Sequence, residues 1–215
     1  MNTMKTRFWN VDTQHDFMRR EGALYVAGAE AIEPNLTSLT QLADQEGIVV
    51  VNTADYHTCD STELSDTPDF RNTFPPHCLQ GTPGVEFVPA TKPQAALYTY
   101  CIDWKAKDVD SSRLREARNI VLYKDAFDVF AGNRHTDRVV SELGDCQYVV
   151  YGVATNVCVD FAVRGLLERG YDVVVPIDAI KGLPNLPEED VLKRWEAEGA
   201  ILTRTSDIKK YIRRE

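Results

Sequence analysis

Four side chains that can carry acid–base or nucleophilic chemistry follow four separate apolar stretches of the sequence. Asp12, Asp55, Lys124 and Cys158 each stand at or just beyond the end of such a stretch. If the stretches are parallel strands, their carboxyl ends meet at one edge of a sheet, where open α/β proteins bind ligands. A thiol, a carboxylate and an ammonium group placed together could form a covalent acyl-enzyme through sulfur.

Cys158 is the candidate nucleophile because it lies in the first turn of a predicted helix that follows a strand directly. The positive end of a helix dipole and its free N–H groups favour a thiolate at that place. The same N–H groups could hold a developing oxyanion. The alternative is that Cys158 is a buried apolar filler, which is common for a lone cysteine.

Asp12 and Lys124 are the candidate partners of that thiol. Asp12 would act as general base, and burial at the strand end would adjust its pKa for that task. Lys124 would hold a thiolate and orient the carboxylate. Taken singly, Asp12 could instead cap a loop, as could Asp16, and Lys124 could be a solvated cation at a strand end.

A second cluster has the residue types of a metal site with oxygen and nitrogen ligands. Asp55 and His57 are two residues apart on extended chain, so their side chains point the same way, and His77 can complete the set. The alternative for each histidine is a loop residue bonded to backbone. A closed structural zinc site is disfavoured because such sites prefer C-x₂₋₄-C pairs. Its ligands would be His57, Cys59, His77 and Cys78.

The elements that must position these residues alternate between strand and helix patterns. Strands are predicted at 6–11, 48–52, 119–123, 147–151, 171–176 and 200–203. Helices are predicted at 30–46, after residue 155, at 188–198 and from Ser206, with Gly47 ending the first and Thr155 or Asn156 capping the second. This order predicts an α/β fold, with a parallel sheet covered by helices on both faces. Residues 58–110 break the rhythm, and a long irregular stretch of this kind usually carries function.

Composition limits the function classes. The chain has 215 residues, 43% hydrophobic and 27% charged, which is typical of one globular domain spanning 1–215. Its formal net charge of −9 disfavours nucleic acid and anionic membranes as partners. The first residues lack the apolar core of a signal peptide, and the odd number of cysteines does not suggest a disulfide framework, so we expect a cytoplasmic protein.

Five motifs resemble, in order, those of the nicotinamidases, a group of isochorismatase-like cysteine hydrolases. They are V-D-T-Q-H-D-F at 11–17, A-D-Y-H at 54–57, F-P-P-H-C-L-Q-G-T-P-G at 74–84, L-Y-K at 122–124 and G-V-A-T-N-V-C-V at 152–159. The third and fifth motifs are the specific ones. The resemblance extends from Thr6 to the final helix.

The resemblance implies a six-stranded parallel sheet in a Rossmann-like three-layer sandwich, and a homo-oligomer. It makes Asp12 the general base, Lys124 its partner and Cys158 the nucleophile. It also implies a cis peptide between Val153 and Ala154. The N–H groups of Ala154 and Cys158 would form the oxyanion hole.

The resemblance further implies hydrolysis of nicotinamide to nicotinic acid and ammonia, assisted by a divalent metal. Zinc is the first candidate for that metal, and iron or manganese also suit the ligands. The ligands would be Asp55, His57 and His77, joined by Glu63, and the metal would orient the pyridine nitrogen directly or through water. Phe17, Phe74 and Val153 match positions that contact the substrate, although the two phenylalanines could equally be ordinary core residues.

Three departures from the nicotinamidase pattern put the substrate in doubt. Lys124 is followed by Asp-Ala-Phe instead of Gly-Ala-Tyr, Phe74 stands where a Trp is usual, and residues 92–110 match no motif. A related cysteine hydrolase acting on another small amide, such as a carbamoyl or ureido compound, therefore remains an alternative. An inactive binding module is disfavoured because all three catalytic residue types are present. Isochorismatase itself is not expected, because it does not use a cysteine at this position.

Overall fold

The computed structural model describes residues 4–93, 98–184 and 187–213. Across these residues eight strands form one sheet. The strands are β1 Lys5–Val11, β2 Val50–Asp55, β3 Thr99–Ile102, β4 Asn119–Lys124, β5 Cys146–Val153, β6 Asp172–Pro176, β7 Ile180–Lys181 and β8 Ile201–Thr203. The α-helices are α1 His15–Met18, α2 Glu33–Glu46, α3 Ser111–Glu116, α4 Val129–Gly132, α5 Thr136–Leu143, α6 Cys158–Glu168 and α7 Glu188–Glu198.

The sheet runs in the order β3-β4-β2-β1-β5-β6-β8, with β7 beside β5, and every pairing is parallel. Helices flank both faces, which confirms the predicted fold class. The predicted count of six strands is wrong, although all six predicted strands are present. The additional strands are the four-residue edge strand β3 and the two-residue β7. Both are too short to show a periodic apolar pattern.

The register of the central strands brings their carboxyl ends together. Val11 at the end of β1 pairs with Thr53 on one side and with Gly152 on the other. Asp55 pairs with Lys124 at the ends of β2 and β4. Every residue of β5 is buried, as expected for a strand covered on both faces. The apolar core therefore fixes where the four candidate side chains emerge.

Local signals set some helix ends and not others. α2 has Pro34 in its first turn and ends at Gly47, whose φ of +69° closes the helix as predicted. The predicted cap of α6 by Thr155 or Asn156 is wrong, because the helix begins after Val157 without a side-chain cap. The Asn156 side chain instead bonds both backbone groups of Leu183, at 2.8 and 2.9 Å. A tertiary contact has replaced the local one.

The irregular stretch after β2 is built from small elements. Isolated bridges join Leu64 to Phe74 and His57 to Leu79, and a 3₁₀ helix covers Pro83–Val85. The strand β3 lies in the segment without a motif, of which residues 94–97 are outside the described part. The predicted terminal helix is a 3₁₀ helix, Thr205–Tyr211, preceded by the last strand. Among the described residues, no helix combines the length and apolar character needed to cross a bilayer.

Candidate active site

The ammonium group of Lys124 lies at the centre of the buried cluster. Its Nζ atom is 3.0 Å from Asp12 Oδ2 and 3.8 Å from Cys158 Sγ. It also forms an ion pair with Asp55 Oδ1. Lys124 and Asp12 have no exposed surface, and Cys158 is 7% exposed. The structure therefore brings together the three residues that the sequence predicted as nucleophile, base and cation.

The backbone holds Asp12 in an unusual conformation. Its φ of +47° lies in the left-handed region, which a non-glycine residue adopts only when the surroundings enforce it. Asp12 donates its N–H to the Thr53 carbonyl at 3.2 Å, and its Oδ1 accepts from the Thr53 hydroxyl at 2.6 Å. Neighbouring Gly152 has a φ of +122°, and a Cβ there would lie 2.1 Å from the Val11 carbonyl oxygen. The carboxylate is thus held by Thr53 of β2, while the close approach of Gly152 in β5 fixes the backbone just before it.

The two carboxylates that contact Lys124 have pKa values shifted in opposite directions. Burial raises the pKa of Asp12, against the opposing effect of the Lys124 charge. Burial alone would also raise the pKa of Asp55, but Lys124 and the hydrogen bonds with two histidines hold it well below its usual range. Although burial favours neutral lysine, the two carboxylates raise the pKa of Lys124 well above normal. Lys124 is therefore the shared cation of two buried carboxylates, and burial favours proton uptake by Asp12.

Burial is the main influence on the acidity of the Cys158 thiol. Burial raises its pKa well above the normal value, and the Lys124 charge opposes this only in part, since Asp12 and Asp55 raise it further. A raised pKa favours the protonated thiol, so burial opposes the thiolate-favouring effect expected of the helix terminus. A base must remove the proton when the thiol reacts, and Asp12 is within 4.8 Å of the sulfur.

The turn before α6 contains the cis peptide between Val153 and Ala154 that the motif implied. The Ala154 carbonyl accepts from the N–H groups of Val157 and Val159, at 3.0 and 3.1 Å. Within the described part of the chain, the N–H groups of Ala154 and Cys158 donate to no protein acceptor. Both residues line the same pocket, and their N–H groups remain available to a ligand there.

The second predicted cluster is also assembled. One potential ligand atom from each of Asp55, His57 and His77 lies within 4.8 Å of the others. Asp55 Oδ2 is 3.5 Å from His77 Nε2 and 3.8 Å from His57 Nε2. The Nε2 atom of His57 is buried and has no hydrogen-bond partner among the described residues. A divalent metal would satisfy that atom, so this oxygen and nitrogen set fits the predicted ion.

Each histidine is fixed through its other ring nitrogen. His77 Nδ1 is 2.7 Å from the Pro75 carbonyl oxygen. His57 Nδ1 is 3.0 Å from the carboxylate of Asp125, a contact that the sequence did not predict. Both rings consequently present Nε2 to Asp55. A hydrogen bond on the other ring nitrogen is usual for metal-binding histidines.

Glu63 lies outside the group of three ligands. Its carboxylate accepts the Phe127 N–H at 2.6 Å, and burial raises its pKa to about 7. Its role as a ligand stays a prediction. The alternative closed zinc site is not assembled, because Cys59 is exposed and the Cys78 thiol is directed to the Gly84 carbonyl at 3.7 Å.

Two residues of the first motif hold the loops around the site; a loop-capping role was considered for Asp16, whereas the role of Gln14 was not predicted. The Gln14 side chain bonds both the N–H and the carbonyl of Asp55, at 2.7 and 2.8 Å. Asp16 Oδ2 accepts the Cys78 N–H at 2.7 Å, directly after His77. The signal was their spacing behind Asp12, which places polar side chains beside β2 and the loop that carries His77.

An apolar pocket opens over the sulfur. Phe17 and Phe74 line it, as the motif implied, whereas Val153 is fully buried in the core. The Phe17 ring is 5.3 Å from the His77 ring, which joins the pocket to the metal cluster. The other lining residues are Leu24, Val26, Phe127, Ala154, Val157, Cys158 and Leu183. Phe127 could have been noticed, because it stands in one of the departures from the motif.

Comparison with known proteins places this site in a family. Residues 8–207 match the model of the isochorismatase domain. The chain belongs to the isochorismatase family. It is 28% identical over 182 residues to the nicotinamidase/pyrazinamidase of Mycobacterium tuberculosis, covering 80% of this chain and 84% of that protein.

Solved structures of the family share the fold. The pyrazinamidase of Pyrococcus horikoshii in complex with zinc superposes with a TM-score of 0.72 at 25% identity, covering 93% of this chain and 99% of that one. The N-carbamoylsarcosine amidase of Thermoplasma acidophilum superposes with a TM-score of 0.71 at 22% identity, covering 94% and 97%. The prediction of an isochorismatase-family amidohydrolase resembling the nicotinamidases is thereby confirmed.

Proposed function

We propose that this family member hydrolyses nicotinamide to nicotinic acid and ammonia through a thioester on Cys158. The observation that carries the proposal is the position of Asp55 between two clusters. Its Oδ1 pairs with Lys124 beside the nucleophile, and its Oδ2 faces both histidines. A ring nitrogen held near the histidines would bring an attached carboxamide towards the sulfur.

The first half of the reaction forms the thioester. Asp12 takes the thiol proton as Cys158 Sγ attacks the carboxamide carbon. The oxyanion of the tetrahedral intermediate accepts hydrogen bonds from the N–H groups of Ala154 and Cys158. Collapse breaks the C–N bond. Asp12 returns the proton to the leaving nitrogen, so ammonia departs and the acyl group stays on sulfur.

The second half returns the enzyme to its starting state. Asp12 takes a proton from water, the resulting hydroxide attacks the thioester carbon, and the C–S bond breaks. The sulfur recovers its proton and nicotinic acid leaves. Throughout, the Lys124 charge stabilises the negative charge that moves between Asp12 and the sulfur, since it contacts both.

Asp55, His57 and His77 would hold the divalent metal. When bound, the metal supplies an electrophilic partner for the pyridine nitrogen and thereby orients the ring. The chain's own residues complete this orientation, because Phe17 contacts the His77 ring and Phe74 lies 6.4 Å from it. The comparison with a zinc-bound pyrazinamidase supports zinc as the first ion to test.

The character of the pocket favours a flat aromatic amide over a ureido compound. Among the described residues its lining is apolar apart from the Cys158 thiol, and none of them offers a cation to a carboxylate on the substrate. The rival candidate, an amidase of carbamoyl compounds, is supported by a closely similar fold and by the absence of the usual Trp and Tyr at Phe74 and Phe127. We regard nicotinamide as the better fit.

The test is ammonia release from nicotinamide and from N-carbamoylsarcosine by the purified protein. Each substrate is assayed with the metal-loaded protein and after removal of metal with a chelator, followed by restoration with zinc. We expect turnover of nicotinamide that is lost with the metal and returns with zinc. Turnover of the carbamoyl compound without turnover of nicotinamide would refute the proposed substrate, and full activity after chelation would refute the metal.

A further inference from the structure

Asp125 stands directly behind Lys124, at the position where the resembling motif has glycine. Its Oδ1 atom is 3.0 Å from His57 Nδ1. The opposite edge of the same imidazole ring carries Nε2, which is 3.8 Å from Asp55 Oδ2 and lacks a hydrogen-bond partner in the described part of the chain. His57 thus lies between two carboxylates. That of Asp125 can hold the ring, and that of Asp55 can bind the same metal ion as His57.

The Asp125 carboxylate is itself held in place. The Ser61 hydroxyl donates to the same Oδ1 atom, and its oxygen accepts the Thr58 N–H at 2.9 Å. The Asp125 N–H donates to the Gly132 carbonyl at 3.2 Å. Ser61 is 6% exposed, whereas the Asp125 side chain is 29% exposed. The partly solvated carboxylate is therefore bonded to a buried hydroxyl, and the backbone of Asp125 is anchored to Gly132.

A carboxylate at this position has two physical effects on the histidine. It accepts a hydrogen bond from the Nδ1–H group, which leaves the lone pair on Nε2 and fixes the plane of the ring. Its negative charge also makes the imidazole a stronger electron donor. His77 obtains only the first effect, because its Nδ1 meets a neutral carbonyl, that of Pro75.

We propose that Asp125 is a positioning residue of the metal site, acting through His57 and not as a ligand. The proposal rests on the metal of the proposed function, and it adds a residue of this chain that raises the affinity of the site for that metal. Asp125 contacts Nδ1, on the side of the ring away from Asp55 and His77, so the His57 ring separates it from the place where the three ligand atoms converge.

The test measures metal affinity directly and does not depend on turnover. Metal-free wild type, Asp125→Asn and Asp125→Gly are titrated with zinc, and in parallel with manganese, against a chromophoric chelator. Asp128→Asn is the matched control, because it removes one negative charge three residues away while an asparagine can still cap α4. Ser61→Ala is a second probe that keeps Asp125 and removes its anchor. Thermal melts of the metal-free proteins report folding.

We expect both Asp125 variants to bind zinc about 10- to 100-fold more weakly than wild type. Ser61→Ala should lose less, and Asp128→Asn should match wild type. The metal-free Asp125→Asn protein should melt as wild type does, which separates positioning from a general loss of structure. Wild-type affinity in both Asp125 variants, when His57→Ala has lost its metal, would overturn the proposal and leave the metal site intact. A wild-type protein that binds neither metal would overturn the metal site and this proposal together.

Discussion

Gly152 gives a prediction whose size follows from the structure. It pairs with Val11, one residue before the proposed base Asp12, and its φ is +122°. In the variant Gly152→Ala, the added Cβ would lie 2.1 Å from the Val11 carbonyl oxygen and 2.9 Å from Val11 N and C. All three atoms are backbone, so no flexible side chain can move aside.

The displacement required is large on the scale of catalysis. The Cβ would be about 1.3 Å inside the shortest ordinary contact of 3.4 Å, so β1 and β5 must separate by roughly that amount at their carboxyl ends. A shift of about 1 Å in a catalytic group costs on the order of 100-fold in rate. We therefore expect kcat/KM to fall by at least about 100-fold, which corresponds to about 2.7 kcal/mol of transition-state stabilisation.

The assay compares Gly152→Ala with Gly199→Ala on the amide that the enzyme turns over. Gly199 has a φ of +103°, and a Cβ added there would have no atom within 4 Å, so the control carries a similar conformational cost without the clash. Gly199→Ala should lose stability but retain kcat/KM within about threefold. If Gly152→Ala retains activity to the same extent, the claim that strand spacing positions Asp12 is refuted.

Three further predictions concern buried or charged contacts. Lys124→Met leaves two buried carboxylates without their cation and should lower the free energy of unfolding by about 3–5 kcal/mol in urea denaturation; a smaller loss than about 1 kcal/mol would contradict the buried ion pairs. Trp195→Phe removes the indole N–H that donates to Asp160 at 2.7 Å. It should lower the free energy of unfolding by about 1–3 kcal/mol, because the buried acceptor loses its partner. The Tyr25 hydroxyl is the main reason that the pKa of Glu30 falls to about 2, from an ordinary value of 4.5. This lowered pKa stabilises the fold above pH 4.5 and ceases to do so as the pH falls through about 2, so the stability deficit of Tyr25→Phe should shrink over that window in pH-dependent melts.

Long apolar strands were predictable because burial on both faces requires continuous apolar runs. The four central strands appear where such runs occur, although β2 begins two residues and ends three residues later than predicted, at Val50–Asp55. The strand β3 was missed because an edge strand of four residues need not be apolar. The cap of α6 was mispredicted because Asn156 bonds Leu183, a partner 27 residues away that no local pattern reveals.

The meeting of the candidate catalytic residues was predictable for a topological reason, whereas their surroundings were not. Side chains at the ends of neighbouring parallel strands must meet, so the sequence alone was enough to group Asp12, Lys124 and Cys158. The roles of Asp125 and Phe127 depend on how the chain turns after β4, which has no strong sequence signal. The burial of Cys158, which raises the pKa of its thiol, depends on the whole assembled site and has no local sequence signal.

The central claim is that Cys158 is the nucleophile, and ammonia release by the variant Cys158→Ala tests it most directly. Cys146→Ala is the matched control, because Cys146 is also buried but lies at the opposite end of β5. We predict that Cys158→Ala loses at least about 10⁴-fold in kcat, while Cys146→Ala stays within about threefold of wild type. A Cys158→Ala enzyme that keeps more than about a tenth of the wild-type kcat would contradict the account.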